Sequence, residues 1–208
     1  MSTALAQTLA AGLTALGQPL TAAQQTQLLD YVALLAKWNQ AYNLTAVRDP
    51  PGMLTRHVLD SLAVLPCLAP GRWLDVGTGP GLPGLVLAIA RPDLSWTLLD
   101  SNRKKTLFCG QAARALRLAN VAVVHCRVEE HRPEAGYQGI TTRAWAALAE
   151  QWRLLAPLLA AGGRLVAMKG RHPVEEIAAL VPAPAGLRYE PLRVPGLNED
   201  RCVVIIPN

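Results

Sequence analysis

Residues 74–84 read LDVGTGPGLPG, and this stretch constrains the fold more than any other. A short apolar strand ends at Val76, four glycines follow within eight residues (Gly77, Gly79, Gly81, Gly84), and a helical run begins. Glycine removes the Cβ barrier to left-handed backbone and lets a ligand approach the main chain closely. A loop of this kind at the carboxyl end of a first strand is the nucleotide-binding turn of an open α/β sheet. The chain around it has the matching rhythm. Strands are expected at 72–76, 95–99, 121–125, 139–142 and 164–168, with helices at 82–90, 102–118, 145–160 and 174–180. Short apolar strands alternating with helices predict a parallel sheet covered on both faces. Residues 187–194 and 201–206 are strand-like with only a short loop between them, which suits an antiparallel hairpin.

Before the first strand the pattern is purely helical. Leu5, Leu9, Leu13 and Leu16 form one apolar face, stopped by Gly17 and Pro19. Thr21 suits an N-cap for a helix to about Tyr42, and Asp49-Pro50-Pro51 opens a third. The expected organisation is a helical extension over residues 1–66 and a doubly wound, mostly parallel seven-stranded α/β domain over 67–208.

Composition narrows the class. In 208 residues 51% are apolar, which supports a packed core, and the net charge is +5. Residues 1–70 hold three basic and three acidic side chains, so the whole excess falls in 71–208. That excess permits an acidic partner such as RNA, although no Lys/Arg run occurs. The four cysteines are widely spaced, with no zinc-like Cys/His cluster, so no metal site is expected. The first residues lack the positive flank of a secretory signal, and the uncharged run Gly84–Ala90 is far too short to span a bilayer. A cytoplasmic protein without membrane contact, acting as a monomer, is the expectation.

The loop leaves two cofactor classes open. Gly79 to Gly84 is a formal G-x-G-x-x-G, the dinucleotide fingerprint, which is a weak match by itself. Asp75, two residues before Gly77, favours a cationic or amino-bearing ligand and would repel a pyrophosphate. Pro80 and Pro83 each remove an N–H that a phosphate cradle would use. Together these favour an adenosyl sulfonium cofactor. Asp100, about 20 residues past the loop, suits a ribose hydroxyl pair or an N-cap for the next helix. Val128 and Glu129, after the third strand, suit the adenine, with a solvated charge as the plain alternative for Glu129.

Arg143 and Lys169 close the fourth and fifth strands beside the reacting end of such a cofactor, where they can hold a carboxylate or phosphate. No nucleophile–base dyad declares itself. Of the histidines, His57 is the one to watch, and among the tryptophans Trp145 is the best base-stacking candidate. These residues leave open a methyltransferase, acting on RNA or on a small molecule, and an NAD-dependent oxidoreductase.

Seven segments taken together resemble the RsmG (GidB) family: KWNQAYNLTAVRDP (37–50), RHVLDS (56–61), DVGTGPGLPG (75–84), TLLDS (97–101), RVEE (127–130), TRA (142–144) and MKG (168–170). The resemblance runs from about residue 28 to 206, with an Ala-rich first helix as its weakest part. It implies a Rossmann-like methyltransferase using S-adenosyl-L-methionine to methylate N7 of a guanosine in the 530 loop of 16S ribosomal RNA, with that RNA or the small ribosomal subunit as partner. By position in the motifs it implies cofactor contacts at Gly77, Leu82, Val128, Glu129 and Arg143, alongside Asp75, Gly79, Gly81 and Asp100 from the loop argument. It further implies Asn43, His57, Arg143 and Lys169 at the catalytic mouth, and Arg56, Lys169 and Arg201 facing RNA.

Overall fold

The computed structural model describes residues 3–208. Seven strands form a single sheet in the order β3-β2-β1-β4-β5-β7-β6. They are β1 Arg72–Val76, β2 Ser95–Asp100, β3 Val121–His125, β4 Tyr137–Arg143, β5 Leu159–Lys169, β6 Arg188–Leu192 and β7 Arg201–Pro207. The first five pair in parallel; β7 runs antiparallel to β5, and β6 antiparallel to β7. The hairpin expected at the end of the chain is present.

Eight α-helices accompany the sheet among the described residues: α1 Thr3–Leu16, α2 Ala22–Tyr42, α3 Pro50–Met53, α4 Asp60–Leu62, α5 Gly84–Ala90, α6 Arg103–Ala115, α7 Leu148–Leu155 and α8 Val174–Ala178. Thr21 caps α2 through a capping box with Gln24, and the helix ends at Asn43 in left-handed backbone, φ 50°. Gln24 also reaches across to the carbonyls of Ile89 and Ala90, tying α2 to the end of α5. Asp49 caps α3 ahead of the two prolines. Between α3 and α4 the helix widens into a π-helical stretch, Leu54–Leu59, which carries Arg56 and His57. Wide turns of this kind cost hydrogen-bond quality and recur at functional sites.

Alternation along the strands divides the core into two layers. Trp73, Trp96, Leu98, Val166, Val203 and Ile205 face α1, α2, α5 and α6, whereas Leu74, Val76, Ile140, Leu165, Val204 and Ile206 face α7 and the Leu180 region. The N-terminal helices therefore share one continuous core with the sheet. Trp73 and Trp96 are register partners on adjacent strands, with ring centroids 5.6 Å apart. Gly139 pairs with Trp73 from the other side, and a Cβ there would run into the indole.

Element boundaries depart from expectation mainly after β4. The helix expected at 145–160 is only Leu148–Leu155, because Ala144 takes left-handed backbone (φ 50°) and Ala147 is extended. Pro157 sits in a short 3-10 turn, and β5 starts at Leu159 rather than 164. No helix among the described residues is long and apolar enough to cross a membrane, and no group of metal-ligating side chains occurs among them.

Candidate active site

The glycine loop sits at the carboxyl end of β1, with Gly77, Gly79 and Gly81 all at positive φ (67°, 58° and 87°). Its N–H groups are committed to the protein. Gly77 and Thr78 both donate to the Leu99 carbonyl (2.9 and 3.1 Å), and Gly81 and Leu82 both donate to the Thr78 carbonyl (2.9 and 2.8 Å). Gly79 donates to Asp100 Oδ2 (2.9 Å) and Gly84 to Asp75 Oδ2 (2.8 Å). Pro80 and Pro83 have none to give. A phosphate would find no donor here, which removes the physical basis of the dinucleotide fingerprint. Tyr31 from α2 and Cys109 from α6 donate to the Pro80 and Gly79 carbonyls and brace the loop from below (2.8 and 3.3 Å).

Asp75, expected at the ligand, is buried and braces the loop from within. Its carboxylate is fully buried and accepts from Thr78 Oγ1 (2.6 Å), the Gly84 N–H and Thr141 Oγ1 (3.2 Å). Burial pushes its pKa up to about 6 against these hydrogen bonds. Gly81 likewise turns toward Leu85 and away from solvent, and a side chain there would strike it.

Two cavities open on either side of a wall made by Gly77, Lys105 and Ala144, which line both. The first, about 480 Å³, is bounded by Leu99, Asp100, Val128, Glu129, Trp145 and Leu154. Asp100 spends Oδ2 on Gly79 and Oδ1 on the Asn102 N–H (2.8 Å), which leaves further lone pairs facing this cavity. Asn102, and not Asp100, caps α6 by accepting from the N–H groups of Lys104 and Lys105. Carboxylate acceptors at Asp100 and Glu129 with apolar walls at Leu99, Val128 and Leu154 fit an adenosine: hydroxyls and an exocyclic amine to donate, a purine face to enclose. Trp145 belongs to this side as well. Its indole lies over Gly77, 2.6 Å from where a Cβ would be built, and it lines this cavity and not the one that holds Arg56, Lys169 and Arg201.

The second cavity, about 520 Å³, is lined by Leu82, Arg56, His57, Asp60, Arg143, Met168, Lys169 and Arg201 as well as the shared wall. Asp60 organises it. This carboxylate takes Arg143 Nη1 on Oδ2 (3.2 Å) and Arg201 Nε on Oδ1 (3.1 Å). Burial raises the Asp60 pKa, and the charges of Arg143 and then Arg201 pull against that rise. Arg143 Nη1 also donates to the Arg56 carbonyl (3.2 Å). Lys169 is held by Glu176 (2.7 Å) and the Ala146 carbonyl (3.2 Å). Arg56 and Arg201 are bridged by Glu199.

His57 is 7% exposed and uses both ring nitrogens: Nδ1 lies 3.0 Å from the Arg56 carbonyl and Nε2 lies 2.8 Å from Thr45 Oγ1. A carbonyl can only accept, so Nδ1 carries the proton and Nε2 accepts from the threonine hydroxyl. Burial, reinforced by the charge of Arg143, lowers the His57 pKa to about 4. Asn43 is the one expected mouth residue that the fold does not bring there. It ends α2, is exposed, and accepts from Arg48 (2.9 Å). Asp60, Glu199, Glu176 and Lys105 were missed from sequence. Asp60 stands inside the RHVLDS segment, but its partners Arg143 and Arg201 lie 83 and 141 residues away, so spacing gave no signal for these pairs.

The sheet and its paired cavities define a Rossmann-like methyltransferase. Solved structures agree at the level of fold: a chain described as a DhpI–SAH complex superposes with a TM-score of 0.59 at 15% identity, covering 89% of this chain and 97% of that one. The N-methyltransferase NodS from Bradyrhizobium japonicum, bound to S-adenosyl-L-homocysteine, gives 0.55 at 16% identity over 86% and 97%. Sequence comparison is far more specific. The profile for rRNA small subunit methyltransferase G (GidB) matches residues 24–204. The chain is 51% identical over 200 residues to ribosomal RNA small subunit methyltransferase G of Laribacter hongkongensis, covering 96% of this chain and 97% of the relative. The Pseudomonas aeruginosa protein of the same name is 50% identical over 205 residues, covering 97% and 94%. This chain belongs to the rRNA small subunit methyltransferase G family, and its members are S-adenosylmethionine-dependent enzymes.

Proposed function

We propose that this chain methylates N7 of a guanosine in the 530 loop of 16S ribosomal RNA. The observation that carries this is the chemistry of the second cavity: cations at Arg143, Lys169 and Arg201, and no free base. The one imidazole there has both nitrogens engaged, and the one buried carboxylate is tied to two guanidiniums. Guanine N7 holds an in-plane lone pair with no proton to remove, so it asks a site for position and electrostatics, not for a base. Methylation of an exocyclic amine would ask for more.

When bound, S-adenosyl-L-methionine supplies an electrophilic methyl on its sulfonium. Asp100 and Glu129 would hold the ribose and adenine, Gly77 would admit the remainder at the shared wall, and Leu82 would meet it in the second cavity. Arg143, anchored by Asp60, sits beside the reacting centre, where it orients a carboxylate or the target nucleotide. Lys169, Arg56 and Arg201 meet RNA phosphates. His57 is a positioning residue that fixes Thr45 and the Arg56 main chain. In this reading residues 67–208 are the methyltransferase domain and residues 1–66 an extension covering one sheet face. The enzyme works as a monomer in the cytoplasm on free 16S RNA or on the small subunit.

N7 methylation leaves a cationic purine whose imidazole ring opens after borohydride reduction, so aniline then cuts the chain. Small-subunit RNA from cells with and without the protein is treated and mapped by primer extension. One protein-dependent stop in that loop is expected. Protein-dependent methyl incorporation without cleavage there refutes the assignment of atom and nucleotide.

A further inference from the structure

Glu199 is an acid at the rim of a cavity read as binding RNA. It lies in the loop between β6 and β7, and its two carboxylate oxygens go to two different arginines. Oε1 accepts from Arg56 Nη1 at 2.5 Å, and Oε2 accepts from Arg201 Nη2 at 2.9 Å. Side-chain exposure is 46% for Arg56, 47% for Glu199 and 19% for Arg201, so the pair is open to solvent on one side. Among the described residues nothing else holds the carboxylate, and those two are its hydrogen bonds. Arg201, by contrast, is fixed independently by Asp60 (3.1 Å) and by the Asp200 carbonyl (2.8 Å). The Arg56 main chain is fixed by His57 and Arg143 through its carbonyl.

The geometry points to a phosphodiester site: we propose that Arg56 and Arg201 together bind one backbone phosphate next to the target nucleotide, and that the Glu199 carboxylate is a built-in stand-in which that phosphate displaces. This rests on the RNA substrate proposed above. A phosphodiester presents two non-bridging oxygens on one centre, as a carboxylate does, and guanidinium pairs bind either in the same way. The arginines thus stay aimed and mutually screened, and the acid can swing into water without disturbing packed structure. Exposed ion pairs of this kind are weak, so displacement costs little. A polyanion lacking the right spacing must still compete with an anion already in place, which raises selectivity for RNA that also fills the cavity.

The test measures binding of a 16S RNA transcript containing the loop across a salt series, for wild type, Glu199→Gln, Arg56→Gln and the double variant. The rise in melting temperature with S-adenosylhomocysteine reports that each variant is folded. Glu199→Gln keeps the shape and removes the charge, so RNA affinity should rise about fivefold at low salt, near the upper end for an exposed ion pair. The salt slope should steepen by about 0.7 to 0.9. Arg56→Gln should weaken binding, and in the double variant the gain from Glu199→Gln should vanish, since both act at one phosphate. Weaker or unchanged binding in Glu199→Gln overturns the proposal, because it makes Glu199 a fixed organiser of the arginines or a bystander. The proposed function fails separately: wild type that binds this transcript but puts no methyl on it refutes the substrate, whatever the affinities show.

Discussion

Asp60 Oδ2 lies 3.2 Å from Arg143 Nη1, and the carboxylate is only 4% exposed. The same carboxylate holds Arg201 on its other oxygen, so two mouth cations from different strands are set by one side chain on α4. Asp60→Asn leaves Arg143 without its carboxylate partner and Arg201 with only the exposed Glu199. Removing one partner of a buried pair costs about 3 to 5 kcal/mol, and since each arginine side chain is 19% exposed the lower end applies. A fall of about 3 kcal/mol in unfolding free energy is expected, with a larger loss in kcat/KM than Lys105→Ala shows in stability-matched conditions. Urea melts and methyl-transfer kinetics check this; full stability in Asp60→Asn contradicts it.

Asp75 makes stability depend on pH in an unusual direction. Its folded pKa is raised from 3.8 to about 6 by burial. The folded state therefore holds the proton where the unfolded chain releases it, so the group's contribution is full below pH 3.8 and is lost as pH rises to 6. The loss is about 3 kcal/mol. Asp75→Asn cannot ionise, so the stability of wild type minus that of Asp75→Asn should fall through this window. Denaturant midpoints from pH 4 to 7 measure it, and a flat difference shows that Asp75 keeps an ordinary pKa.

The glycine loop, five parallel strands and final hairpin were legible in the sequence because turn chemistry and apolar alternation are local signals. The bracing role of Asp75 was not legible, because a carboxylate two residues before a glycine looks the same whether it faces a ligand or the start of α5. Only the fold shows Thr78, Gly84 and Thr141 around it. Asn43 was placed by motif, yet its left-handed backbone at the end of α2 accounts for an asparagine there. Asp60 and Glu199 went unseen because the pairs Asp60–Arg143, Asp60–Arg201 and Glu199–Arg56 span 83, 141 and 143 residues. Long-range ion pairs leave no periodicity.

Gly77 joins the two cavities, and its backbone has φ 67° with the Trp145 indole overhead. Gly77→Val puts a β-branched side chain into left-handed backbone and against that ring. S-adenosylhomocysteine at 100 times its dissociation constant should stabilise wild type by about 2.7 kcal/mol, and this gain should disappear in Gly77→Val. Thermal melts with and without ligand decide the matter. A preserved shift would move the cofactor away from this loop.

The chemical step should not depend on pH between 6 and 8. His57 is the only imidazole lining the second cavity, and burial and Arg143 hold its pKa at about 4. A depressed histidine stays neutral in the folded protein while the unfolded chain protonates near 6.5, so stability is lost as pH falls from 6.5 toward 4 and is full above that window. Between pH 6 and 8 the ring is therefore neutral throughout, with Nδ1–H on the Arg56 carbonyl and Nε2 on Thr45. A ring so placed has no free lone pair for a substrate proton, and N7 has no proton to give. Single-turnover rates at saturating cofactor and RNA should be flat across pH 6 to 8. His57→Gln should lower the rate by displacing Thr45 and the Arg56 main chain, yet leave the profile flat. A limb of unit slope in wild type that vanishes in His57→Gln would establish a general base and would make N7 the wrong atom.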